Sequence, residues 1–419
     1  MRDLSTERNI VWQAPQSAYT DTYVYYRPKG TNQWTKETGS NVVMYATDLL
    51  SETGHGVFSA RATPRAPGSV YPVPVRLVHR VKLRNLTPGV EYEFVYPNTA
   101  KKHTFRTLPA TINPGDDPVK FCVAGDSYHL YPEMLAACER MQALDVDFWI
   151  HGGDWSYADA NPDELWCWDD LWQYAFTPNL VNPRGHTVPI IPVIGNHEGV
   201  GGSQFGRHDD EWFFQFFDFP AGRSGAWEEW RAGDYLSVAV IDTEMATGSL
   251  SSTHPHVQWL DQTLQDNASI KHRIAAQHVA IYPSNRSFGG SRKRGTRQHI
   301  RPLYEQHNLR TVFEHHDHVY KVTHYMAGGD ATTPGTVVNE GDALWDDRVK
   351  YFGDGTHGVN IRSANNKSAS YIEDSQGWGD NMDQARAFFY VELYHDRREI
   401  YSVDVNGNFF NQHTEPADA

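Results

Sequence analysis

Acidic, amide, phenol and imidazole side chains that can bind metal ions follow several apolar segments of this sequence. The candidates are Asp126, Asp154, Tyr157, Asn196, His278, His316 and His318. Most come at or just after runs that read as buried strands. Ligands of α/β proteins bind at the carboxyl ends of such strands, where we expect these side chains to meet. Oxygen and imidazole donors suit hard or borderline cations, so the sequence predicts a site for one or two metal ions.

Each candidate, taken singly, also has a structural explanation. Asp126 could cap a turn or a helix, and Asn196 could form a turn after Gly195. His278 could be a hydrogen-bonded histidine of the core, and the run HHDH at 315–318 could be a solvated loop. Their shared position at strand ends favours metal binding over a series of independent coincidences.

The chain of 419 residues divides into two regions of different pattern. Residues 1–110 consist of short β-rich runs separated by Gly, Pro and Asn, which predicts a β-sandwich. Within them, the stretch NLTPGVEYEF at 85–94 resembles the tyrosine corner of fibronectin type III domains, and an ordinary hairpin is the alternative. Residues 118–419 alternate apolar β runs with helical patterns, which predicts an α/β domain. Within this domain, residues 327–384 read as long loops rich in Gly, Asn, Asp and Ser.

Composition excludes some classes of partner. The formal net charge is −15, which argues against a broad surface for nucleic acid or for an anionic membrane. An anionic substrate would therefore need local positive charge, which bound metal ions supply. No transmembrane helix or signal peptide is expected, so a cytoplasmic chain and a secreted chain that has lost its leader both stay open. The oligomeric state is also open.

Five segments, read in order, resemble the motifs of calcineurin-like metallophosphoesterases. They are GD at 125–126, GDWSYAD at 153–159, GNHE at 195–198, the strand that contains His278, and HHDH at 315–318. A tyrosine three residues after the second Asp is typical of the purple acid phosphatase subgroup. The resemblance implies a four-layer α/β/β/α sandwich for the catalytic domain. Larger members of the subgroup also carry a fibronectin III-like domain ahead of it.

The same resemblance implies two metal ions per chain. Fe(III) would be bound by Asp126, Tyr157 and His318, a divalent Zn, Fe or Mn ion by Asn196, His278 and His316, and Asp154 would bridge the two ions. One departure concerns the last segment, where Glu314-His315 stands before His316 and the subgroup usually has Gly-His. That leaves the two ligands to be chosen among His315, His316 and His318. We expect His316 and His318, because a strand-like i, i+2 spacing points both to one side.

The activity that the resemblance implies is hydrolysis of phosphate esters, most simply phosphomonoesters, by a metal-bound hydroxide. His197 and Asp154 would be catalytic, with His197 as the proton donor. Asp159 and Glu198 would orient histidine side chains beside the metals. A phosphodiesterase or nucleotide pyrophosphatase with the same site is the nearest alternative. A binding module that keeps the fold without catalysis is the alternative of another class.

A small phosphorylated substrate is the expected partner. Its contacts would come from Asn196, His197, Asn285 and Arg286. The basic run at 292–294 is either a phosphate-recognition loop, for which Arg suits bidentate contact, or an exposed charged loop.

Overall fold

The computed structural model describes residues 2–15, 21–44, 76–128, 131–159, 165–199, 212–220, 225–243, 250–289, 294–353 and 355–418. The strands of the N-terminal part are β1 (Arg2–Asp3), β2 (Arg8–Pro15), β3 (Tyr23–Pro28), β4 (Thr35–Thr38), β5 (Ser40–Met44), β6 (Arg76–Leu83), β7 (Glu91–Val95) and β8 (His103–Arg106). Seven of them form two antiparallel sheets, with the orders β2-β6-β5 and β4-β3-β7-β8.

The two small sheets share one core. Side chains in β7 alternate between buried and half-buried, as a strand with one covered face requires. The core of both sheets consists of Trp12, Val24, Val81, Leu83, Leu86, Tyr92, Phe94 and Phe105. At the predicted corner, the backbone N–H of Thr87 donates to the hydroxyl of Tyr92 at 2.9 Å. The tyrosine therefore closes the turn that precedes its own strand.

The remaining strands follow residue 118. They are β9 (Val119–Ala124), β10 (Phe148–His151), β11 (Ile190–Pro192), β12 (Glu228–Ala232), β13 (Leu236–Ile241), β14 (His272–Val279), β15 (Thr311–His315), β16 (Tyr320–Thr323), β17 (Met326–Ala327), β18 (Thr336–Val337), β19 (Lys350–Gly353), β20 (Ile372–Gln376), β21 (Phe388–Leu393), β22 (Arg397–Val403) and β23 (Phe409–Pro416). One sheet has the order β11-β10-β9-β21-β22-β23, and another has the order β1-β12-β13-β14-β15-β19-β16-β20. The first strand of the chain, β1, thus pairs with the larger sheet, in parallel with β12.

Helices accompany both large sheets. The α-helices are α1 (Tyr131–Ala143), α2 (Leu165–Asp170), α3 (Thr177–Asn179), α4 (Trp212–Phe216), α5 (Pro255–Asp266), α6 (Arg301–Gln306) and α7 (Met382–Ala385). Leu171–Phe176 and Thr296–Ile300 are π-helical, and Asn196–Glu198 and Trp345–Asp347 are 3₁₀ turns. The mixed α/β fold predicted from the alternating pattern is therefore confirmed. None of the helices in the described ranges combines the length and apolar composition needed to cross a bilayer.

Alternate residues of one strand enter different cores, because successive side chains point to opposite faces of a sheet. Phe121 and Val123 of β9 pack with Ile274 of β14 in a core between the two large sheets. Between them, Cys122 packs in a second core with Met134 of α1. A third core covers the opposite face of the eight-stranded sheet with α5 and α6. Each fully buried aliphatic or aromatic side chain of this kind contributes about 1.5–3 kcal/mol.

Candidate metal centre

Three adjacent parallel strands deliver the first group of candidate ligands. Strands β9, β10 and β11 are neighbours in the six-stranded sheet, and β9 and β10 pair so that Ala124 faces His151. Asp126 follows β9, Asp154 and Tyr157 follow β10, and Asn196 follows β11. The carboxyl ends of parallel strands lie at one edge of a sheet, which is why these residues are brought together.

The eight-stranded sheet delivers the histidines. His278 is the penultimate residue of β14, and β15, which pairs with β14 in parallel, ends at His315. His316 and His318 lie just after β15. Neither residue is in a strand, so the prediction that a strand-like spacing points both side chains to one side is wrong. Their side chains nevertheless reach other candidate ligands, because His316 contacts His278 and His318 contacts Asp126.

The backbone of the ligand residues is unusual. Asp126, Asp154, Tyr157, His316 and His318 have φ angles of 61°, 53°, 53°, 70° and 55°. Only a few per cent of non-glycine residues adopt this left-handed conformation. Such strain costs on the order of 1–3 kcal/mol per residue and persists where the surrounding structure imposes it, most often at functional sites. Five cases within one constellation therefore point to function.

Glycines let the motif backbones approach one another. A Cβ atom added to Gly152 would collide with the ring of His315, and one added to Gly125 would lie 2.7 Å from Nδ1 of that ring. His315 therefore packs against the backbone that precedes Asp126 and Asp154. A Cβ on Gly195 would collide with Asp154. The glycine in each of these motifs thus leaves room for a side chain or for the backbone of a neighbouring motif.

The first ligand cluster consists of Asp126, Tyr157 and His318. The phenol oxygen of Tyr157 lies 2.9 Å from Oδ1 of Asp126 and 3.0 Å from Nε2 of His318, and the last two atoms are 3.1 Å apart. The other ring nitrogen of His318 donates to the carbonyl of Asn360 at 3.1 Å, so Nε2 presents its lone pair to the cluster. Donors that bind one ion at about 2.0–2.2 Å and at right angles are about 3 Å apart. The spacing of this cluster fits one metal ion.

The second ligand cluster consists of Asp154, His278 and His316. Nε2 of His278 lies 3.2 Å from Oδ2 of Asp154 and 3.2 Å from Nδ1 of His316, and the three ligand atoms lie within 4.8 Å of one another. Nδ1 of His278 donates to the carbonyl of Gly152 at 2.8 Å, which directs Nε2 into the cluster. Oδ2 of Asp154 is buried and accepts no hydrogen bond from the described residues. A cation would satisfy this oxygen, whose desolvation otherwise costs about 1–3 kcal/mol.

Burial and neighbouring charges set the protonation of these groups. Burial opposes ionisation of Asp126, but His278 and His318 outweigh it and hold the pKa of Asp126 below its ordinary value. Burial likewise opposes ionisation of Asp154, and His278 and His197 lower its pKa to about 2. For Tyr157, burial and the charges of Asp126 and Asp154 all raise the pKa well above its ordinary value. A phenolate at this position therefore needs a cation beside it.

His197 and Asp159 form a contact beside the clusters. Nδ1 of His197 makes a short hydrogen bond to Oδ1 of Asp159, and Nε2 of His197 lies 3.9 Å from Oδ2 of Asp154. The ring of His197 also packs against Tyr157, with 4.3 Å between the ring centroids. The carboxylate of Asp159 thus orients His197, as expected for a residue that supports a histidine. Asn196 is buried in the same 3₁₀ turn.

Glu198 has contacts that the sequence did not indicate. We expected its carboxylate to orient a histidine side chain. Instead, it accepts the backbone N–H groups of Asp154, Trp155 and Gly195 at 2.9, 2.7 and 2.7 Å. Burial and the charge of Asp154 raise the pKa of Glu198 to about 8. Glu198 therefore joins the loops after β10 and β11, and these backbone contacts leave no signature in residue type.

Glu314 does not face the metal ligands, although it interrupts the motif. Its carboxylate accepts from Nζ of Lys321 at 2.6 Å and from the N–H of Ile281 at 2.5 Å, and both side chains of the ion pair are fully buried. The bulky residue at this position therefore joins β15 to β16 and to the loop after β14.

Two of the four expected substrate-binding residues, Asn285 and Arg286, lie on a loop that contacts the HHDH segment and a neighbouring loop. Nε of Arg286 lies 3.4 Å from Oδ1 of Asp317, and the side-chain amide of Asn285 donates to the carbonyl of Ser363 at 2.7 Å. Their role in substrate binding stays a prediction. Most of the basic run, residues 292 and 293, lies outside the described residues.

A segment within the predicted long loops contacts the backbone of the candidate ligands. The N–H groups of His357 and Gly358 donate to the carbonyls of Gly125 and Asp126 at 3.1 and 3.0 Å. Farther along, the N–H of Arg362 donates to the carbonyl of His318 at 2.9 Å. The only sequence signal for this segment is its place directly after a β-rich run that ends in glycine.

Comparison with known families agrees with this geometry. Residues 119–320 match the family model for calcineurin-like phosphoesterases. These residues therefore form a domain of the calcineurin-like phosphoesterase type. The family implies a binuclear metal site, and the donor atoms of the two ligand clusters fit such a site.

Similar proteins have been found both by sequence and by structure. Two uncharacterized proteins of Mycobacterium tuberculosis, Rv2577 and MT2654, are each 24% identical over 306 residues, which cover 64% of this chain and 55% of each relative. The chain thus spans about half the length of these relatives. A purple acid phosphatase from yellow lupin (Lupinus luteus) seeds superposes with a TM-score of 0.74 at 16% identity, covering 98% of this chain and 72% of that one. PhoD superposes with a TM-score of 0.60 at 10% identity, covering 99% and 87%.

Proposed function

We propose that the protein is a phosphomonoesterase of the purple acid phosphatase type, with Fe(III) and a divalent Zn, Fe or Mn ion in one site. The observation that supports this most directly is the contact triangle of Asp126, Tyr157 and His318. Asp126 and Tyr157 each offer a hard oxygen donor that can carry a negative charge, and such donors favour a trivalent ion. The neighbouring cluster of Asp154, His278 and His316 offers one carboxylate and two neutral imidazoles, which suits a divalent ion. Asn196 would complete that cluster, and Asp154 would bridge the two ions.

The bound ions would supply a nucleophilic oxygen at neutral or acidic pH and neutralise the charge of the phosphoryl group. The protein's own residues then have two tasks. His197, oriented by Asp159, would donate a proton to the leaving alkoxide or to a phosphate oxygen. Glu198 would hold the backbone of Asp154 in its left-handed conformation, so that this carboxylate points into the site.

Coarser features support the same assignment. The three buried cores lie on both faces of the two large sheets, as a four-layer α/β/β/α sandwich requires. Two packed sheets and the contact between Thr87 and Tyr92 favour the fibronectin III-like assignment for residues 1–110. The net charge of −15 favours a small phosphorylated substrate whose charge is matched at the site, rather than a nucleic acid or an anionic membrane.

The test compares p-nitrophenyl phosphate with bis(p-nitrophenyl) phosphate on protein whose metal content has been measured. We expect two ions per chain and a kcat/KM at least tenfold higher for the monoester. The reverse ratio would make the protein a phosphodiesterase. Less than one ion per chain, with no activity after addition of iron or zinc, would instead indicate a binding module.

Two variants at neighbouring histidines show whether metal binding and turnover depend on the proposed ligands. His316→Ala removes an expected ligand and should abolish turnover together with binding of one ion. His315→Gln changes the adjacent ring, which packs on Gly152, and should retain both ions. Equal metal loss in the two variants would argue against the ligand set proposed here.

A further inference from the structure

Arg362 lies beside both histidines of the metal centre. Its backbone N–H donates to the carbonyl of His318 at 2.9 Å, and its Nη1 donates to the carbonyl of His316 at 3.2 Å. The side chain is half-buried. Among the residues that the structure describes, no carboxylate lies within ion-pair distance of its guanidinium. A partly desolvated cation without an acidic partner is unusual in a chain with a net charge of −15.

Trp378 is held next to Arg362. Its backbone N–H donates to the carbonyl of Arg362 at 2.8 Å. A Cβ on Gly377 would lie 2.6 Å from that carbonyl and 2.5 Å from the nitrogen of Ala364, so only glycine allows the two segments to approach this closely. The side chain of Trp378 is nevertheless 66% exposed, the highest value among the large apolar side chains of the described residues.

Further hydrogen bonds fix the segment that carries Trp378. The N–H of Gly377 donates to Oδ2 of Asp380 at 3.0 Å, and the N–H of Asp380 donates to the carbonyl of Gly377 at 3.0 Å. Lys367 makes an ion pair with the same aspartate. Hydrogen bonds thus fix the backbone of Trp378. Packing does not explain why its ring is exposed.

Trp378 is connected to the candidate metal ligands through Arg362. Two successive backbone hydrogen bonds, from Arg362 to His318 and from Trp378 to Arg362, connect it to the centre. Arg362 contacts the backbone of both His316 and His318, and Trp378 contacts the backbone of Arg362, so a single residue connects Trp378 to the two histidines.

We propose that Arg362 and Trp378 form the substrate-recognition edge of the metal centre, and that the substrates are phosphate esters whose alcohol carries a flat ring, as in a nucleoside monophosphate. The proposal rests on the phosphoesterase function proposed above. Arg362 would contact non-bridging phosphoryl oxygens, for which a planar guanidinium offers two parallel donors. Trp378 would stack on the ring, an interaction that accepts any base because every base has a π face.

The test uses two ligands that differ only in the ring. The non-hydrolysable 5′-methylenephosphonate analogues of 5′-AMP and of ribose 5-phosphate are titrated calorimetrically into the metal-loaded protein. We expect the wild type to bind the adenosine analogue at least tenfold more tightly. Trp378→Ala should bring the two affinities within twofold, and Trp378→Phe should retain most of the difference. Arg362→Gln should weaken both ligands about tenfold and equally, with partial recovery in Arg362→Lys.

Control variants separate recognition from general effects on the surface. Phe409→Ala removes another exposed aromatic ring, 49% exposed on β23, and Arg397→Gln removes another cation. Neither should alter either affinity. Equal affinity of the wild type for both analogues, no measurable binding of the adenosine analogue, or an unchanged ring preference in Trp378→Ala would each overturn the proposal.

Turnover of 5′-AMP and of ribose 5-phosphate, both of which are esters of a primary 5′-hydroxyl of ribose, distinguishes the two proposals. Ring-dependent binding without any hydrolysis would refute the phosphomonoesterase function and leave the recognition edge standing. Hydrolysis of both esters at equal kcat/KM would refute the recognition edge alone.

Discussion

The phenol oxygen of Tyr157 and Oδ1 of Asp126 lie 2.9 Å apart at the ends of neighbouring strands, and both side chains are buried. In the protein without a cation, the neutral phenol donates a hydrogen bond to the carboxylate. Burial and the adjacent negative charges make loss of that proton unfavourable. A trivalent ion would reverse the balance, because it stabilises the phenolate and the carboxylate together. The contact therefore connects ionisation of Tyr157 directly to metal binding.

Tyr157→Phe should remove visible absorption from iron-loaded protein, because a phenyl ring has no oxygen to donate charge to Fe(III). One of the two ions should also bind at least tenfold more weakly, measured by absorption and metal content after dialysis. Tyr320→Phe is the matched control, since its buried hydroxyl contacts Ser402 away from the site. An iron-containing, coloured Tyr157→Phe protein would contradict the assignment of the phenolate ligand.

His197 should be required for turnover but not for metal retention. Its replacement by alanine should lower kcat by about 10²–10⁴-fold, the usual contribution of a positioned proton donor. Metal analysis of the same preparation checks that both ions remain. Loss of an ion in His197→Ala would show that the residue acts as a ligand instead.

Asp159→Asn should shift the alkaline limb of the kcat profile to lower pH. Burial lowers the pKa of His197, but the charges of Asp154 and Asp159 outweigh burial and raise it above its ordinary value. A proton donor loses activity as pH rises through its pKa. Removal of a negative charge that raises the pKa of His197 therefore moves this loss of activity to lower pH. An unchanged profile would exclude His197 as the group that titrates.

Glu198→Ala should destabilise the protein on the order of 3 kcal/mol, because it leaves three buried N–H groups without their acceptor. Urea denaturation of the metal-free protein measures this cost separately from metal binding. Glu198→Gln, which keeps one acceptor oxygen, should fall between the wild type and the alanine variant. Wild-type stability of Glu198→Ala would show that the loops after β10 and β11 are held by other contacts.

Glu305 should make stability fall as pH rises towards neutrality. Burial raises the pKa of its carboxyl to about 7, although Arg301 and the N–H of Gly328 oppose the shift. The folded state thus holds this proton more tightly than the unfolded state, whose pKa is about 4.3. The stabilisation from protonation is complete below that value and is lost as pH rises through about 7.

Glu305→Gln should therefore flatten the decline of the unfolding free energy between about pH 5 and 7, where the wild type loses roughly 2 kcal/mol. Urea titrations at several pH values measure the slope. Glu139→Gln, at an exposed position on α1, controls for the loss of one carboxyl group. Identical slopes in Glu305→Gln and the wild type would refute the assignment.

Much of the centre could be predicted from the sequence, because metal chemistry restricts residue type and α/β topology restricts position. Asp126, Tyr157 and His278 were proposed as ligands for both reasons, and the structure brings each of them next to another candidate. Contacts made through the backbone could not be predicted. Glu198 accepts hydrogen bonds from backbone N–H groups, which nearly every residue carries. The residue type therefore indicated a charged side chain but not which groups it would contact.

The recognition edge was missed for a related reason. Arg362 and Trp378 lie in segments without apolar periodicity, so no helix or strand pattern gave their direction. Their proximity to His318 depends on two backbone hydrogen bonds and on the close approach at Gly377, which follow from tertiary packing alone. The fibronectin III-like assignment and the limits of the two domains likewise stay predictions.

The left-handed backbone of five ligand residues has a consequence for how this domain can change. Glycine adopts such φ angles without steric cost, so a glycine in place of Asp126, Tyr157 or His318 would relieve torsional strain as it removed a donor atom. Asp126, Tyr157 and His318 therefore present their donor atoms from backbone positions at which glycine would be less strained, so the constellation is held against a local conformational preference.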